Sequence, residues 1–545
     1  MPEETFDYIV VGAGSAGCIV AAELAEDPSA RVLVLECGDA AEDHPETLRA
    51  DGYKDAFVND RLIWERFSER QPACGGGRLF MGSGRGVGGS GAVNGMVYTR
   101  GARQDFDAWP KGWRWEDVAP DFERLERRLR VRPREATAFT SAFIEAAGEA
   151  GFRHAPDLNG GDLGGVIGHE TMNYEGDGRR NSYVAFLRQA LDSGRVALRT
   201  GVLVERVILQ DRRAVGVAVR AGGRAATLRA RREVVLCAGA LESPKLLMLS
   251  GIGPAAHLRA HGIEPAVDAP EVGENLHDHP NVTLFFLGRR EVDCHYPQLY
   301  GFHRARPESD LVPGQPDTCY VAYPARSSLR EATMRIVPTM LPVWLYGRWS
   351  KWLLRALLAV AFALGPVRRL VRRTYGIVVI LGKPASRGRL RLASRDPAVQ
   401  ARLDPAYFAD PADLDTMARA VGLARRIAAG ASLQAFGNRP LMPRTRDGTR
   451  LRRWIRRNAM TTYHYAGTCR MGDDATSVVD TELRVRGVRG LRVADASAIP
   501  ETPVAALNAP SMLIGYRAGR LVRAAWRADG DAPAPEAASA VRTAT

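Results

Sequence analysis

The sequence predicts an α/β fold, in which helices cover a parallel sheet and a second domain is inserted into the first. Two apolar runs predict the sheet: residues 9–11 are β-branched and end at a glycine, and residues 31–35 end at Glu36. The insertion is predicted by a change of pattern, because residues 281–455 carry irregular strands and prolines. Alternating strands and helices return at residues 482–523.

Three glycines follow the first strand at the spacing G-x-G-x-x-G, with Ser15 and Ala16 between the second and the third. Gly12 permits a tight turn, Gly14 lets a pyrophosphate approach the N-terminus of a helix, and Gly17 allows close packing. Glu36, 19 residues after Gly17, is placed to bind an adenosine ribose and would repel a 2′-phosphate. The pattern predicts a dinucleotide site that disfavours NADP, rather than a turn that only packs.

Length and composition limit the number of domains and the kinds of binding site that the chain can have. A chain of 545 residues is expected to form two or three domains. The formal net charge is +13, but the arginines are scattered, which argues against a nucleic-acid surface. The seven cysteines include no C-x-x-C pair, so neither a disulfide framework nor a metal site is expected. We expect a cytoplasmic protein, because the acidic N-terminus leads directly into the first strand without a signal peptide.

Several local elements can be predicted from residue patterns. Residues 109–130 fit a loop and an amphipathic helix, and residues 182–191 fit a helix. Strands are expected within 196–219 and 226–237, with a hairpin turn at Gly222 and Gly223. In the block 237–254, Ser243 is expected to cap a helix as its N-cap residue. The Ala-, Pro-, Ser- and Thr-rich end of the chain is expected to be disordered.

The segment 344–373 combines tryptophans, an apolar run and arginines. Its uninterrupted apolar stretch, 356–364, is far shorter than the ~20 residues that cross a bilayer. Tryptophans before the run and arginines on both sides are typical of a helix in a membrane interface. The alternative is a buried domain helix with a basic, exposed end. Either helix could form a lid over an apolar channel, and peripheral membrane association is therefore one possibility.

Three further motifs can carry chemistry. The segment 82–101 is so rich in glycine that it predicts close approach of backbone N–H groups to an anionic ligand, rather than a flexible linker. His464 lies among polar, turn-like residues, and Asn508 follows a proline-bounded loop. Asp495 ends the predicted strand 491–494, which is a usual place for ligand contacts in an α/β sheet.

These motifs, in this order, resemble the glucose–methanol–choline (GMC) family of flavin oxidoreductases, which includes choline and alcohol dehydrogenases. The segment 82–101 is similar to the first signature of the family, and 239–253 is similar to the second. The resemblance covers residues 6–525 and is weakest at 281–374. It implies a Rossmann-like FAD-binding domain, similar to that of p-hydroxybenzoate hydroxylase, with an inserted antiparallel-sheet substrate domain.

The resemblance also implies domain boundaries. The FAD-binding domain would comprise residues 1–160, 196–285 and 456–526. The substrate domain would comprise an excursion at 161–195 and the main part at 286–455. Residues 527–545 would form the disordered tail.

In this family the nucleotide is FAD, and the resemblance assigns it contacts from every motif. The implied contacts are Gly12, Gly14, Ser15, Ala16, Gly17, Glu36, Gly88, Gly89, Ser90, Asn94, Gly95, Met96, Val97, Val204, Asp495, Ala496, Asn508 and Pro510. Some members attach FAD covalently through a histidine in the first glycine-rich block. The matching position here is Val93, which predicts FAD without a covalent link.

The catalytic residues implied by the resemblance are His464 and Asn508. Alcohol oxidation by hydride transfer to flavin N5 requires a base for the hydroxyl proton, and His464 matches the family's histidine. Asn508 matches its partner, and an amide can position the substrate oxygen but cannot take the proton. Tyr465 stands where the family often has proline. Together with 344–373, this departure favours an apolar alcohol.

Several alternatives remain open at this point. The electron acceptor could be a quinone, another carrier or oxygen, and the interface-like helix favours a dehydrogenase. The scaffold could instead serve a lyase or a light-driven fatty-acid decarboxylase, or bind FAD without catalysis. Which alcohol is oxidised does not follow from the sequence.

Overall fold

The computed structural model of the protein describes residues 4–341, 344–346 and 349–530. Two sheets organise the described residues, and a hydrophobic core lies against each. The predicted α/β fold with an inserted antiparallel sheet is confirmed. The predicted domain boundaries stay a prediction, although the second sheet draws strands from both 153–169 and 280–461.

The first sheet has seven strands within the described residues. In spatial order they are Val196–Arg199, Val32–Leu35, Glu4–Val11, Arg224–Leu236, Arg213–Ala221 and Val202–Gln210, with Leu491–Val493 paired to Arg224–Leu236. The pairs that involve Glu4–Val11 are parallel, as is the pair with Leu491–Val493. The helix Gly17–Leu24 is buried along its whole length, because it lies against the helix Asn508–Gly530 and its residues are apolar or small except Glu23, which pairs with Arg523 of that helix. This is the predicted βαβ unit.

The second sheet has eight strands within the described residues, and its pairs are antiparallel except that between the two strands 153–154 and 166–169. In spatial order they are Arg439–Met442, Pro280–Leu287, Thr374–Leu381, Thr318–Pro324, Leu299–His303, Val166–His169 and Arg153–His154, with Met460–Thr461 paired to Pro280–Leu287. Alternate residues of a strand point to opposite faces. Val282, Leu284 and Phe286 therefore face the second core, which the helix Pro411–Ala429 covers.

Smaller elements connect the two sheets. Short strands form a third sheet from Gly178–Arg179, Thr171–Glu175, Val97–Tyr98 and Val131–Pro133, and three pairs from Ile63–Trp64 with Ser83–Gly84, Ile252–Gly253 with Val267–Asp268, and Arg389–Arg391 with Arg402–Asp404. The remaining α-helices are Tyr53–Val58, Ser90–Val93, Arg103–Asp107, Trp115–Leu129, Ala138–Glu149, Arg188–Asp192, Ser243–Leu249, Ala255–Ala260, Leu329–Ile336, Trp349–Ala363, Gly365–Arg372, Ala431–Gln434 and Gly448–Asn458.

Most local predictions are confirmed. The amphipathic helix is Trp115–Leu129, and the helix expected at 182–191 consists of a π-helical stretch, Tyr183–Leu187, followed by an α-helical turn. Gly222 and Gly223 form the two-residue hairpin turn, since Ala221 pairs with Arg224. The last helix continues to Gly530, into the segment 527–545 that was expected to be disordered; residues 531–545 lie outside the described residues.

The segment 344–373 forms two helices, which we name the exposed helix (Trp349–Ala363) and the basic helix (Gly365–Arg372). The apolar side chains of the exposed helix do not point into the core: Trp349 is 69% exposed and Val360 is 63% exposed. The prediction of a buried domain helix is therefore wrong for its apolar face. In the part of the chain that the structure describes, every helix is too short or too polar to cross a membrane.

Candidate active site

A cavity of about 820 Å³ lies between the two sheets. Its first wall consists of the carboxyl ends of first-sheet strands and the loops that follow them, including Gly12 and Glu36. Its second wall consists of one face of the second sheet, including Phe285 and Val321, and of the helix Leu329–Ile336, which we name the wall helix. A cavity of this size accommodates a large cofactor portion or a small-molecule substrate.

Two glycine-rich loops meet at the first wall without side chains between them. A Cβ atom on Gly89 would lie 2.8 Å from the Cα atom of Gly14, and the φ angle of Gly89 is +52°. At Gly12, with φ +102°, a Cβ atom would lie 2.5 Å from the carbonyl oxygen of Cys237. Gly14 and Gly89 both line the cavity. The backbone alone thus forms a cradle, and larger residues would block it.

Glu36 joins the segments that form this cradle. Its carboxylate accepts hydrogen bonds from the backbone N–H groups of Ala13 (2.9 Å), Gly38 (2.9 Å) and Gly86 (3.1 Å). Glu36 also lines the cavity. Three of the roughly four acceptor positions of the carboxylate are therefore occupied by the protein itself. Glu36 therefore has a structural role, holding three backbone segments together, in addition to the predicted contact with a ribose. The sequence did not reveal this structural role.

Asp495 ties a loop of the first wall to the C-terminal region. One carboxylate oxygen accepts from the Gly239 N–H (2.9 Å) and the Ser243 hydroxyl (2.5 Å), and the other accepts from the N–H and hydroxyl of Ser497 (2.8 and 2.6 Å). The prediction that Ser243 is an N-cap is wrong by one residue: Glu242 is the N-cap, since the Ser243 hydroxyl is engaged with Asp495. These four hydrogen bonds occupy the acceptor positions of the Asp495 carboxylate. The predicted contact of Asp495 with a cofactor would therefore use its backbone atoms.

His464 lies on the cavity surface and is hydrogen-bonded to a second histidine. Its Nδ1 is 3.0 Å from Nδ1 of His279, and Nε2 of His279 is 3.0 Å from the Thr502 hydroxyl. The Thr502 hydroxyl donates its proton to the Pro503 carbonyl at 3.3 Å, so its oxygen accepts the bond from His279. We therefore assign the proton of His279 to Nε2. Its Nδ1 then accepts from Nδ1–H of His464, and Nε2 of His464 is left as a free acceptor.

Both histidines are neutral in this environment. Burial lowers the pKa of His464 to about 4, because the charged imidazolium loses its hydration. Burial and the adjacent His464 hold the pKa of His279 well below its usual range. Nε2 of His464 is consequently unprotonated at neutral pH and can accept a proton from a bound hydroxyl group.

The loops that carry the two histidines are held by one buried carboxylate, Asp278. It accepts hydrogen bonds from the N–H groups of His279 and His464, both at 2.8 Å, and from the hydroxyls of Tyr407 and Thr461. Burial raises the pKa of Asp278, and these hydrogen bonds oppose the increase. The loop is also conformationally restrained, since Tyr463 has a φ angle of +63°.

Asn508 begins the last helix, and it faces the glycine cradle. Its Oδ1 accepts a hydrogen bond from the Ser15 hydroxyl at 2.9 Å. Its Nδ2 is buried and has no hydrogen-bond partner among the described residues. A buried donor without a partner costs about 1–3 kcal/mol. The amide is therefore available to an acceptor atom of a ligand in the cavity.

The second wall is mostly apolar, with amide and hydroxyl groups from residues such as Asn281 and Tyr300, and the described part of it carries no carboxylate. Within the described chain, the carboxylates that line the cavity are Glu36, Glu242 and Asp495. Glu242 pairs with Arg66 at 2.7 Å and with Lys245 at 3.3 Å, and the other two are engaged as described. The second-sheet residues at the cavity are Asn281, Thr283, Phe285, Tyr300, Cys319, Val321, Tyr323, Val378, Ile380, Met442, Met460 and Thr461. This wall suits an uncharged ligand.

The structure brings most of the predicted site residues to this one cavity. Those that line it are Gly12, Gly14, Ser15, Ala16, Glu36, Gly89, Ser90, Asn94, Gly95, Val97, Val204, His464, Asp495, Ala496 and Asn508, together with Val93 and Tyr465. Four predicted contacts lie behind the cavity wall: Gly17, Gly88, Met96 and Pro510. Gly88 links the loops through its N–H, which donates to the Ala13 carbonyl at 2.7 Å.

Sequence reasoning missed His279, Asp278 and Thr502. A usable signal was present, because His277, Asp278 and His279 are consecutive and immediately precede the strand Pro280–Leu287. Three ionisable residues before a buried strand are unusual, since charged groups at such positions need partners. His279 and His464 are in contact although they are 185 residues apart in the sequence, and no local pattern predicts such a contact.

Comparisons with known proteins show which family the chain belongs to. The N-terminal family model, described as GMC oxidoreductase, matches residues 6–281, and the C-terminal model matches 384–515. Choline oxidase from Arthrobacter globiformis is 33% identical over 96% of this chain and 95% of its own length. An oxygen-dependent choline dehydrogenase from Brucella canis is also 33% identical, over 94% of both chains.

A solved structure extends the comparison to the fold. Pyridoxine 4-oxidase from Mesorbium loti superposes with a TM-score of 0.81 at 27% identity, over 94% of this chain and 98% of that chain. The family models cover more than half of the chain, and the relatives match it over nearly their full length. The chain is therefore a member of the GMC oxidoreductase family.

Proposed function

We propose that this GMC oxidoreductase binds FAD without a covalent link and oxidises an uncharged, apolar alcohol to an aldehyde or ketone, with His464 as the base. The observation that carries the proposal is the arrangement of one cavity, in which a side-chain-free cradle and a histidine with an unprotonated Nε2 share the same space.

The residues at the first wall fit FAD. Because Gly12 and Gly89 have no Cβ atoms, which would lie 2.5 Å from the Cys237 carbonyl oxygen and 2.8 Å from the Gly14 Cα atom, the loops pack closely and their backbone N–H groups can serve a pyrophosphate. The unpartnered Nδ2 of Asn508 supplies a buried donor to the same region. Val93 lines the cavity where a histidine would provide a covalent link, which supports non-covalent binding. When bound, FAD supplies the acceptor for the hydride of the alcohol.

The protein's own residues carry out the proton chemistry. Nε2 of His464 accepts the hydroxyl proton of the substrate, and His279 keeps the other ring nitrogen in the required tautomer. Asp278 holds both loops so that the base does not have to be reoriented in each turnover. The amide of Asn508 is proposed to position the oxygen atom, although its Oδ1 is engaged with Ser15.

The mostly apolar second wall supports the substrate class. The family relatives named above are called choline oxidase and choline dehydrogenase, and a quaternary ammonium ion is recognised by aromatic faces and a carboxylate. The three cavity carboxylates here are engaged with protein groups near the first wall. We therefore propose that apolar alcohols, rather than choline, are the preferred substrates.

Two observations bear on the electron acceptor and point in opposite directions. The printed names of the relatives include an oxidase and an oxygen-dependent dehydrogenase. The exposed helix, however, presents an apolar surface of the kind that contacts membranes, where quinones dissolve. We propose a quinone or another carrier as the acceptor. None of the relatives named above carries a lyase or decarboxylase name, and that alternative is not part of the proposal.

An anaerobic flavin-reduction screen tests the proposal. The holoenzyme is mixed with long-chain primary alcohols, aromatic alcohols, sugars and choline, and the loss of oxidised-flavin absorbance is followed. We expect the fastest reduction with apolar alcohols. Faster reduction by choline would overturn the substrate class, and no reduction by any alcohol would overturn the reaction. Hydrogen peroxide formed stoichiometrically with aldehyde in air would overturn the proposed acceptor.

A further inference from the structure

The exposed helix has its polar and apolar faces reversed relative to an ordinary surface helix. Its outward side chains recur every three or four residues, and the large ones are apolar: Trp349, Trp352, Leu353, Leu357 and Val360, followed by Leu364. Its inward side chains include Lys351 and Arg355, which are buried. A helix on the surface of a water-soluble domain normally shows the opposite pattern.

A buried ionic cluster fixes this orientation. Lys351 Nζ lies 2.9 Å from carboxylate oxygens of both Asp60 and Glu65, and Arg355 makes two contacts of 3.0 Å with Asp60. Arg335 of the wall helix joins the same two carboxylates at 2.7 and 2.6 Å. Burial raises the pKa of Asp60, but contacts with these cations outweigh it and lower the pKa to about 2. The helix cannot turn its apolar face inward without breaking these pairs.

The apolar face continues into neighbouring residues and is bordered by positive charge. Met340 and Trp344 are 80% and 69% exposed. Arg368 and Arg369 of the basic helix are exposed, and that helix buries none of its residues. A contiguous apolar patch of this kind marks an interaction surface. Tryptophans on one flank and arginines on the other match the chemistry of an anionic lipid surface.

We propose that the exposed helix and the basic helix dock the enzyme on an anionic lipid bilayer, with the apolar face of the exposed helix in the headgroup region. A second copy of the chain is a less suitable partner, because each copy carries a formal net charge of +13 and the two would repel, whereas an anionic surface attracts both. A helix of 15 residues is about 22 Å long, so it lies on the bilayer rather than across it.

The position of the docking surface also suggests how substrate arrives. The wall helix presents Leu329, Ala332 and Ile336 to the cavity. On its other side lies the exposed helix, whose Arg355 Nε donates to the Met334 carbonyl at 3.2 Å. The wall helix and the exposed helix, with the ionic cluster beside them, therefore lie between the cavity and the proposed lipid contact, so the docking surface is on the same side of the protein as the second wall of the cavity. Resting on the proposed alcohol oxidation, we infer that the substrate is an alcohol dissolved in the bilayer.

Vesicle sedimentation tests docking without requiring turnover. The holoenzyme is incubated with phosphatidylcholine vesicles that contain or lack phosphatidylglycerol. We expect binding to the anionic vesicles that weakens with salt, and a decrease of about tenfold or more in the variant Trp352→Ser/Leu357→Ser/Val360→Ser, because three large side chains leave the lipid phase. The variant Arg368→Gln/Arg369→Gln should lose about fivefold for each arginine.

Matched controls separate docking from general effects of charge. Arg78 and Arg224 are exposed arginines elsewhere in the chain, and Arg78→Gln/Arg224→Gln should leave vesicle binding unchanged. Sedimentation that does not depend on the vesicles, or that is equal for both double variants, would overturn the proposal. So would a wild-type dimer in solution that the triple serine variant converts to a monomer, since the face would then join two copies.

The two parts of the inference can fail separately. If docking is correct, the triple variant reduces the flavin at the wild-type rate with a short, water-soluble alcohol but more slowly with a long-chain alcohol supplied in vesicles. If the wild type and the triple variant reduced the flavin equally fast with a vesicle-borne alcohol, the inference that substrate arrives from the bilayer would be overturned, and the docking proposal would stand. An enzyme that sediments with vesicles but oxidises no alcohol would instead refute the proposed function.

Discussion

The two walls of the cavity are built on different principles. The first wall is made largely of backbone: glycines leave no side chains in the way, and the carboxylates of Glu36 and Asp495 are held by N–H and hydroxyl donors. The second wall is made of side chains, which alternate along strands such as Pro280–Leu287. A wall of backbone tolerates few substitutions. A wall of alternating side chains can change its chemistry one residue at a time without changing the sheet.

The strongest test of this contrast concerns His464, which lies between the walls. His464→Ala should lower the rate of flavin reduction by about 10²- to 10⁴-fold, because the hydroxyl proton loses its acceptor. The measurement is anaerobic stopped-flow with the best alcohol, alongside the FAD content of each preparation. His154→Ala is the matched control, since His154 is exposed. Unchanged reduction by His464→Ala would exclude it as the base.

A substitution in the first wall should affect cofactor retention. In Gly89→Ala the new Cβ atom would lie 2.8 Å from Gly14 Cα, at a φ angle that alanine disfavours. We expect a loss of stability of about 2 to 5 kcal/mol and a preparation poor in FAD. Gly148→Ala is the control, because that exposed helical glycine has open space around its Cβ position. Full FAD content in Gly89→Ala would show that the cradle is not a binding surface.

The positioning role of His279 should appear in the rate and leave the pH dependence unchanged. His279→Asn is expected to slow flavin reduction by up to about a hundredfold, less than His464→Ala, because the base is present but no longer held. In the wild type the rate should fall only as the pH drops towards about 4, where His464 becomes protonated. In the variant this limb should stay near pH 4, because burial alone lowers the pKa of His464. A limb that moves towards the ordinary histidine pKa of 6.5 would indicate that the site has opened to water, and the slower rate would then reflect structural damage.

Substitutions at adjacent residues of a second-wall strand should affect different properties, one substrate binding and the other stability. Phe285 faces the cavity and Phe286 faces the core, where its ring stacks on Tyr375. Phe285→Ala should lower kcat/KM for a long-chain alcohol by roughly tenfold with little change in Tm. Phe286→Ala should lower stability by about 3 to 5 kcal/mol and leave the FAD-loaded fraction with normal kcat/KM. If Phe285→Ala lowered stability and Phe286→Ala lowered kcat/KM, the two side chains would face the opposite sides of the sheet from those described here.

The last prediction concerns the pH dependence of stability. Burial lowers the pKa of His277 to about 3, and His279 and His464 also titrate below 6.5. Between about pH 4 and 6.5 the unfolded chain binds protons that the folded chain does not, so stability falls as the pH falls. Each histidine contributes a slope of about 1.4 kcal/mol per pH unit. Urea unfolding should show a smaller slope for His277→Asn and an unchanged slope for His154→Asn.

The sequence predicted the first wall better than the second for a physical reason. The turn at Gly12, the acid Glu36 and the glycines of 82–101 are local patterns, because backbone geometry restricts the residues that fit. The second wall joins strands that are distant in sequence, and its residue types are ordinary for a sheet. His279 was missed for the same reason, and the N-cap at Ser243 was misplaced because a distant carboxylate, Asp495, engages its hydroxyl.

The segment 344–373 shows a different limit of prediction. Its composition indicated a helix with both apolar and basic parts, but composition does not specify which face is covered. The partners of Lys351 and Arg355 are Asp60 and Glu65, almost 300 residues earlier in the chain. Only the three-dimensional arrangement shows that the charged side chains face inward.

The meeting of Gly14 and Gly89 has a consequence for how such an enzyme diversifies. Where these two main chains pass each other, a side chain on Gly89 would collide with the Gly14 backbone and displace the loops that form the groove. Lineages that descend from a common ancestor would inherit this groove unchanged and acquire new substrates through the opposite wall. A mutational library confined to the second-sheet positions would then yield many soluble, flavin-loaded variants with altered alcohol preference, whereas a library at the glycines would yield few.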